Sequence, residues 1–359
     1  MSSRRPGATS TLLSFLLLVL VIAGVAYVAD QTLPGNVGGG PADSLPAGIP
    51  SPEPTSPVGP IDEDTLAPAF ASLPSLVFVR SDATSTLMVR RMGNGDESVI
   101  FTDADESIRL TQVLGTLATG GVVALSTSRT DPTAAALVEI ASDGSGSLVT
   151  RRPNLPLSTS QPAVSPDGTR LALVSFNNAE RSFGFTLAVE PLAGGAGVTV
   201  ADDPAGIALV SWSPDSRQLA YVQGQATAEA GQTVYTVVPG NEPVKQFTID
   251  PLQVVTDLIW SDLTTLALVL EPLGNNAQSQ ARLMSYRLGQ SAPVQLLDLG
   301  GKERSLASAR DGEHLAFLLG DVPAGQTTSP GTITLLNRTT GTVTSLGTAT
   351  DIAGFVGTE

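Results

Sequence analysis

The sequence predicts an all-β fold, a six-bladed β-propeller preceded by a transmembrane helix and a disordered linker. Three observations lead there. Segments with one turn grammar recur at a spacing of 48 residues. The stretch 73–359 holds 287 residues, room for six such units. The last apolar run of the chain supplies a strand that the first unit lacks. Self-similarity at a period of about 40–50 residues is the mark of a propeller blade.

Taken from the start, Arg4 and Arg5 precede an uncharged stretch of 18 residues, Leu12 to Ala29. At about 1.5 Å per residue it spans roughly 27 Å as a helix, enough for a bilayer core. The arginines before it and Asp30 after it put the N-terminus in the cytoplasm and the remainder outside it. A cleaved signal peptide is the competing reading, with Gly24 and Ala26 as the small residues before the cut. Its apolar region is ordinarily only about 7–15 residues, so residues 1–30 are read as a cytoplasmic stub and uncleaved signal anchor.

Residues 31–72 read as an acidic Pro/Gly-rich linker. Within 31–60 eight residues are proline and six are glycine, and no apolar periodicity survives. Such a segment cannot bury enough surface to offset its ordering entropy. Residues 31–72 together carry five acidic residues and no basic one.

The repeating part divides at about 73–107 plus 350–357, 108–156, 157–204, 205–251, 252–302 and 303–349. Four segments show the pattern best: AVSPDGTRLALVS (163–175), SWSPDSRQLAYVQ (211–223), IWSDLTTLALVLE (259–271) and SARDGEHLAFLLG (308–320). Their turn positions Ser165, Ser213, Ser261 and Ala309 are 48 residues apart. Pro166 presets φ, Asp167 can bond back to the backbone, and Gly168 accepts positive φ, so a tight hairpin results. Two further apolar runs complete each unit, giving four strands. The first unit offers only LVFVR (76–80), LMVRR (87–91) and SVIFT (98–102). TDIAGFV (350–356) resembles the strand before each turn and has nothing after it, so it closes the first blade and protects its edge.

This pattern resembles the WD-like repeat of TolB-type propellers, and also the N-terminal propellers of prolyl-oligopeptidase-type peptidases. It covers residues 157–348 well, the second unit weakly, and the first only by strand pattern. Unit four has Ser216 for glycine, unit five has Ser261-Asp262-Leu263, and unit six has Arg310 for proline. The TolB resemblance implies an exported binding component of an envelope complex, although TolB's extra N-terminal domain has no counterpart in this sequence. The peptidases keep their triad in a hydrolase domain that is likewise not seen here, and no Gly-x-Ser-x-Gly elbow appears.

Composition narrows the chemistry. A net charge of −15 argues against nucleic acid and against an anionic membrane surface. With no cysteine there is no disulfide, thiolate metal site, cysteine nucleophile or lipobox. The single histidine, His314, occupies the slot of Arg170 and Gln218 and reads as an exposed hairpin residue rather than a base. The recurring Asp167, Asp215, Asp262 and Asp311 read as turn formers, one per blade, that do not converge on an ion. Trp212 and Trp260 read as packing between blades. The acidic run Asp103-Ala104-Asp105-Glu106 is a calcium candidate whose default is a solvated turn. Asn337-Arg338-Thr339 matches a glycosylation sequon.

A channel site would need acids or amides on the first strands. Those read Pro162-Ala163-Val164, Leu209-Val210-Ser211, Asp257-Leu258-Ile259 and Leu306-Ala307-Ser308, with only Asp257 charged. The expectation is therefore a monomeric, membrane-anchored extracytoplasmic propeller that binds a protein or peptide partner at a face or channel mouth. It has no catalytic residue, metal or cofactor. The alternative is a small-ligand or carbohydrate-binding propeller, or a propeller enzyme with a channel site.

Overall fold

The computed structural model describes residues 75–357, apart from 82–85, 92–94, 105, 132–134, 156–161, 180–181, 275–280 and 321–328. The anchor expected at Leu12 to Ala29 and the linker at 31–72 lie outside the described residues. Among the described residues no helix is long and apolar enough to cross a membrane.

The described residues form an all-β propeller of antiparallel sheets. The first sheet contains β1 (Ser75–Ser81), β2 (Thr86–Arg91) and β3 (Glu97–Thr102). The second contains β4 (Ile108–Thr116), β5 (Val122–Ser128), β6 (Ala135–Ile140) and β7 (Leu148–Leu155). The third contains β8 (Ala163–Val164), β9 (Arg170–Ala179), β10 (Ser182–Pro191) and β11 (Val198–Asp203). The fourth contains β12 (Ile207–Trp212), β13 (Leu219–Gln223), β14 (Thr233–Val237) and β15 (Val244–Thr248). Then come β16 (Gln253–Trp260), β17 (Thr265–Pro272), β18 (Arg282–Arg287) and β19 (Val294–Asp298). The next sheet holds β20 (Glu303–Ser308), β21 (His314–Leu319), β22 (Gly331–Asn337) and β23 (Val343–Ala349). The last strand, β24 (Asp351–Val356), returns to pair with β1, so the order of the first sheet is β24-β1-β2-β3. Five sheets have four strands of five residues or more, whereas the third has an inner strand, β8, of only two residues.

Each sheet packs face to face on its neighbours, which explains the sequence of its second strand. Leu219, Ala220, Tyr221 and Val222 of β13 are all at most 1% exposed, because both faces of the strand are covered. The outermost strands alternate instead: in β15 Val244 is 58% exposed and Phe247 is 5% exposed. Hydrophobic clusters join each sheet to the next. One packs Ala220, Val222 and Val234 against Leu258, Trp260 and Leu268. Another packs Leu76, Phe78 and Phe355 against Ala316, Leu318 and Ile333, which seals the last sheet onto the first.

The inner strands β24, β4, β8, β12, β16 and β20 touch in sequence around a closed ring. They also carry β-bulges. Register shifts between Val255 and Asp257 in β16, and between Glu303 and Ser305 in β20, leave Thr256 and Arg304 as the extra residues. Those two positions are one repeat apart. A bulge bends the strand and re-aims its side chains.

Candidate functional site

The turn residues do what their chemistry suggests. Ser165 Oγ donates to Asp167 Oδ1 at 2.5 Å and accepts from the Arg170 N–H at 2.9 Å. Ser213 and Asp215 repeat the arrangement at 2.6 Å, and Asp262 and Asp311 each accept a backbone N–H two residues on at 2.8 Å. Burial alone would raise the carboxyl of Asp167, but its bonds from Ser165 and Thr169, with the charge of Arg170, outweigh that and hold it below the usual range. Gly168 has φ +70°, and in the next turn Ser216 takes φ +63° without a glycine's freedom. Ser216 repays part of that strain by accepting the Asp167 N–H on its hydroxyl at 3.0 Å.

Trp212 and Trp260 are 6% and 4% exposed and lie between sheets. Each indole N–H donates to a carbonyl of the preceding inner strand, Ala163 and Ser211 respectively. The Arg170 guanidinium lies 4.7 Å over the Trp212 ring.

Two readings of single residues need correction. His314 is not an exposed hairpin residue, since its side chain is 12% exposed. Its Nδ1 sits 2.7 Å from Asp311 Oδ2 and its Nε2 sits 2.9 Å from Asn337 Nδ2. With Nδ1 protonated and Nε2 accepting from the amide, both nitrogens are engaged and no lone pair is left for a base. The same contact occupies the amide of Asn337 within the sequon. Asp103 is not solvated either, being 0% exposed. Its oxygens accept the N–H of Thr86 at 2.6 Å and of Leu110 at 2.9 Å, tying the first sheet to the second, with Arg129 3.5 Å away. Glu106 is exposed, and Asp105 lies outside the described residues.

A further correction concerns the ring interior. Charge on the inner strands is not confined to Asp257, because β20 opens on Glu303 and β24 on Asp351. All three inner strands run in the same direction, so Glu303 and Asp351 stand at one end of the ring. Asp257 lies on β16 beside them. Its carboxylate accepts the N–H of Leu258 at 2.7 Å and that of Leu306, on the next inner strand, at 3.0 Å. Asp351 accepts the N–H of Ile352 at 2.8 Å. Asp257 and Asp351 are half-buried, whereas Glu303 is buried.

Electrostatics bind the three into one group. Burial pushes Asp257 up to about 7, with the Asp351 charge adding to it. Burial raises Glu303 well above its ordinary value, with the charges of Asp257, Glu271 and Asp351 adding to it and the N–H of Ser305 opposing it. Burial also raises Asp351, against the lowering effect of Ser305, Ile352 and Arg304. Among the described residues no three His, Cys, Asp or Glu side chains are placed to hold one metal ion together.

Away from the ring, a cavity of about 410 Å³ is bordered by Asp202, Tyr221, Gln223, Tyr235 and Glu242. Tyr221 and Tyr235 stack with centroids 5.5 Å apart, and the buried Tyr221 hydroxyl has no hydrogen-bond partner. Burial pushes that hydroxyl up to about 12.

No model of a known protein family matches the sequence, and no curated protein matches it. Solved structures do. TolB from Acinetobacter baumannii is similar at a TM-score of 0.56 and 12% identity, over 79% of this chain and 67% of that one. A TolB-type protein from Agrobacterium tumefaciens is similar at 0.52 and 13% identity, over 79% of this chain and 93% of that one. The tricorn protease is similar at 0.50 and 10% identity, over 76% of this chain but 29% of its own. Such distant likenesses speak for architecture and leave residue roles untouched. In architecture, this chain is a TolB-like β-propeller.

Proposed function

We propose that the chain is a membrane-anchored, extracytoplasmic propeller that binds a protein partner and catalyses no reaction. One observation carries this reading: the repeat spends its turn carboxylates and its histidine on building the ring. His314, Asp167, Asp215, Asp262 and Asp311 are all held in hydrogen bonds within their own hairpins. What remains is a rigid platform with two faces, the form in which propellers present loops to partners. The TolB-like architecture supports the same reading, as does an N-terminal stretch long enough to tether it.

The absence of cysteine makes the topology easy to test. A single Ser56→Cys in the linker is expected to react with a membrane-impermeant maleimide on intact spheroplasts, and reaction only after lysis would refute the topology. For binding, a photo-crosslinking residue at exposed position 302, next to Glu303, is compared with one at position 294 on an outer strand. A dominant protein adduct from 302 and not from 294 is expected; no adduct from either would sink the reading.

A second reading is favoured by one feature, the cavity beside the stacked Tyr221 and Tyr235, whose aromatic and polar lining suits a small ligand such as a sugar. Saturable sugar binding lost in Tyr235→Ala would shift the weight to it.

A further inference from the structure

Glu303 and Asp351 are one repeat of 48 residues apart. One period before Glu303 stands Val255, and one before that Ile207, which are 4% and 3% exposed. The sheet therefore accepts an apolar side chain at this position and has no structural need of a carboxylate. Glu303 is 7% exposed, and its Oε1 has no hydrogen-bond partner. A buried polar atom left unpaired is costly, and more so when charged. The chain's own nearby cation does not relieve it: the Arg304 guanidinium is turned to the carbonyls of Ser329 and Thr350. Lys302, next in sequence, is exposed. Three acidic side chains on successive inner strands thus lie near one end of the ring, one of them with an unpaired acceptor, and two of them, Asp257 and Asp351, are only half-buried.

We propose that this end of the ring receives an arginine side chain of the partner protein, its guanidinium bridging Glu303, Asp351 and Asp257. The inference rests on the protein-binding reading above and names the group the partner contributes. A spherical divalent ion needs oxygens converging on it at about 2.3–2.6 Å, which these side chains do not offer as a group. A guanidinium carries five N–H donors in a planar fork and satisfies acceptors that flank it rather than converge. It also supplies the positive charge that makes ionisation of a buried carboxylate favourable, so binding expels protons and strengthens as pH rises.

The test uses the full chain in detergent and N-acetylarginine amide as the probe, with N-acetylcitrulline amide as its neutral twin and Ca²⁺ as a competitor. Calorimetry is expected to show saturable binding of the arginine amide that tightens at least fivefold between pH 5.5 and 8. The citrulline amide should not bind. Glu303→Gln should weaken binding at least tenfold, as should Glu303→Val, which copies the sister sheets and so keeps the fold. Undetectable arginine binding, equal binding of citrulline, an unchanged affinity in cooperatively folded Glu303→Val, or tighter binding of Ca²⁺ would each overturn the proposal. A protein adduct at position 302 that persists despite such a result would leave protein binding standing and remove only the arginine.

Discussion

The indole N–H of Trp260 donates to the carbonyl of Ser211 on the neighbouring inner strand at 3.2 Å. Trp212 makes the same bond to Ala163 at 3.0 Å, one repeat earlier. A side chain whose bulk fills the seam between sheets also supplies the polar link across it. Trp260→Phe keeps most of the bulk and leaves the Ser211 carbonyl without its donor. The expected loss is about 2 kcal/mol, within the range for an orphaned buried acceptor plus a small cavity, read as a lower urea midpoint with unchanged slope.

Asp103 joins two sheets through backbone N–H groups on each. Asp103→Ala orphans the N–H of Thr86 and Leu110 and removes the carboxylate beside Arg129, which keeps its bonds to the carbonyls of Asp103 and Glu106. A loss of about 3 kcal/mol is expected, with Asp103→Asn, which retains one acceptor, costing less. If chemical denaturation finds Asp103→Ala as stable as the parent, the link between sheets is not made through this carboxylate.

The strand that closes the first sheet buries Ile352, Phe355 and Val356, each at most 6% exposed. Removing residues 351–359 forfeits about 5 kcal/mol from those side chains alone, comparable with the whole stability of a domain. The truncated protein should lose its cooperative transition, and a synthetic 350–357 peptide should restore it. Gly354 adds a closer constraint. A Cβ there would meet Thr116 Oγ1 at 3.0 Å at a φ of +134°, so Gly354→Ala should destabilise without removing any contact.

Stability should also depend on pH through the three inner acids. Their carboxyls are raised in the folded chain, so the native state holds protons that the unfolded chain, titrating near about 4, has released. The contribution is fully present below about pH 4 and is lost as pH rises through about 7, where Asp257 ionises. Urea midpoints are therefore expected to fall from pH 5 to pH 8. Glu303→Gln should flatten that fall; a midpoint that rises with pH in the parent would contradict the assignment.

The architecture was legible because it is written as repetition. Ser165, Ser213 and Ser261 announce the hairpins, and an incomplete first unit with a surplus last strand implies their union. Side-chain environments were less legible, because they depend on partners from other sheets. Nothing within the run Asp103 to Glu106 reveals that Leu110 turns its N–H back to Asp103. Likewise, Asn337 reaches His314 only once β22 lies beside β21. Glu303 and Asp351 were within reach: extending the repeat comparison a few positions upstream sets both acids against Val255 and Ile207. The bulges at Thr256 and Arg304 shift the strand starts and hide that match.

The pairing of β24 with β1 sets an order of events. Of the described strands, β1 waits for β24, so the ring stays one strand short until β24 has been made. Until then β1 presents an unsatisfied backbone edge, and β20 and β4 lack the neighbour that β24 provides between them. Folding of this protein is thus a terminal act rather than a progressive one. Any helper that shields it must hold the first sheet until β24 arrives.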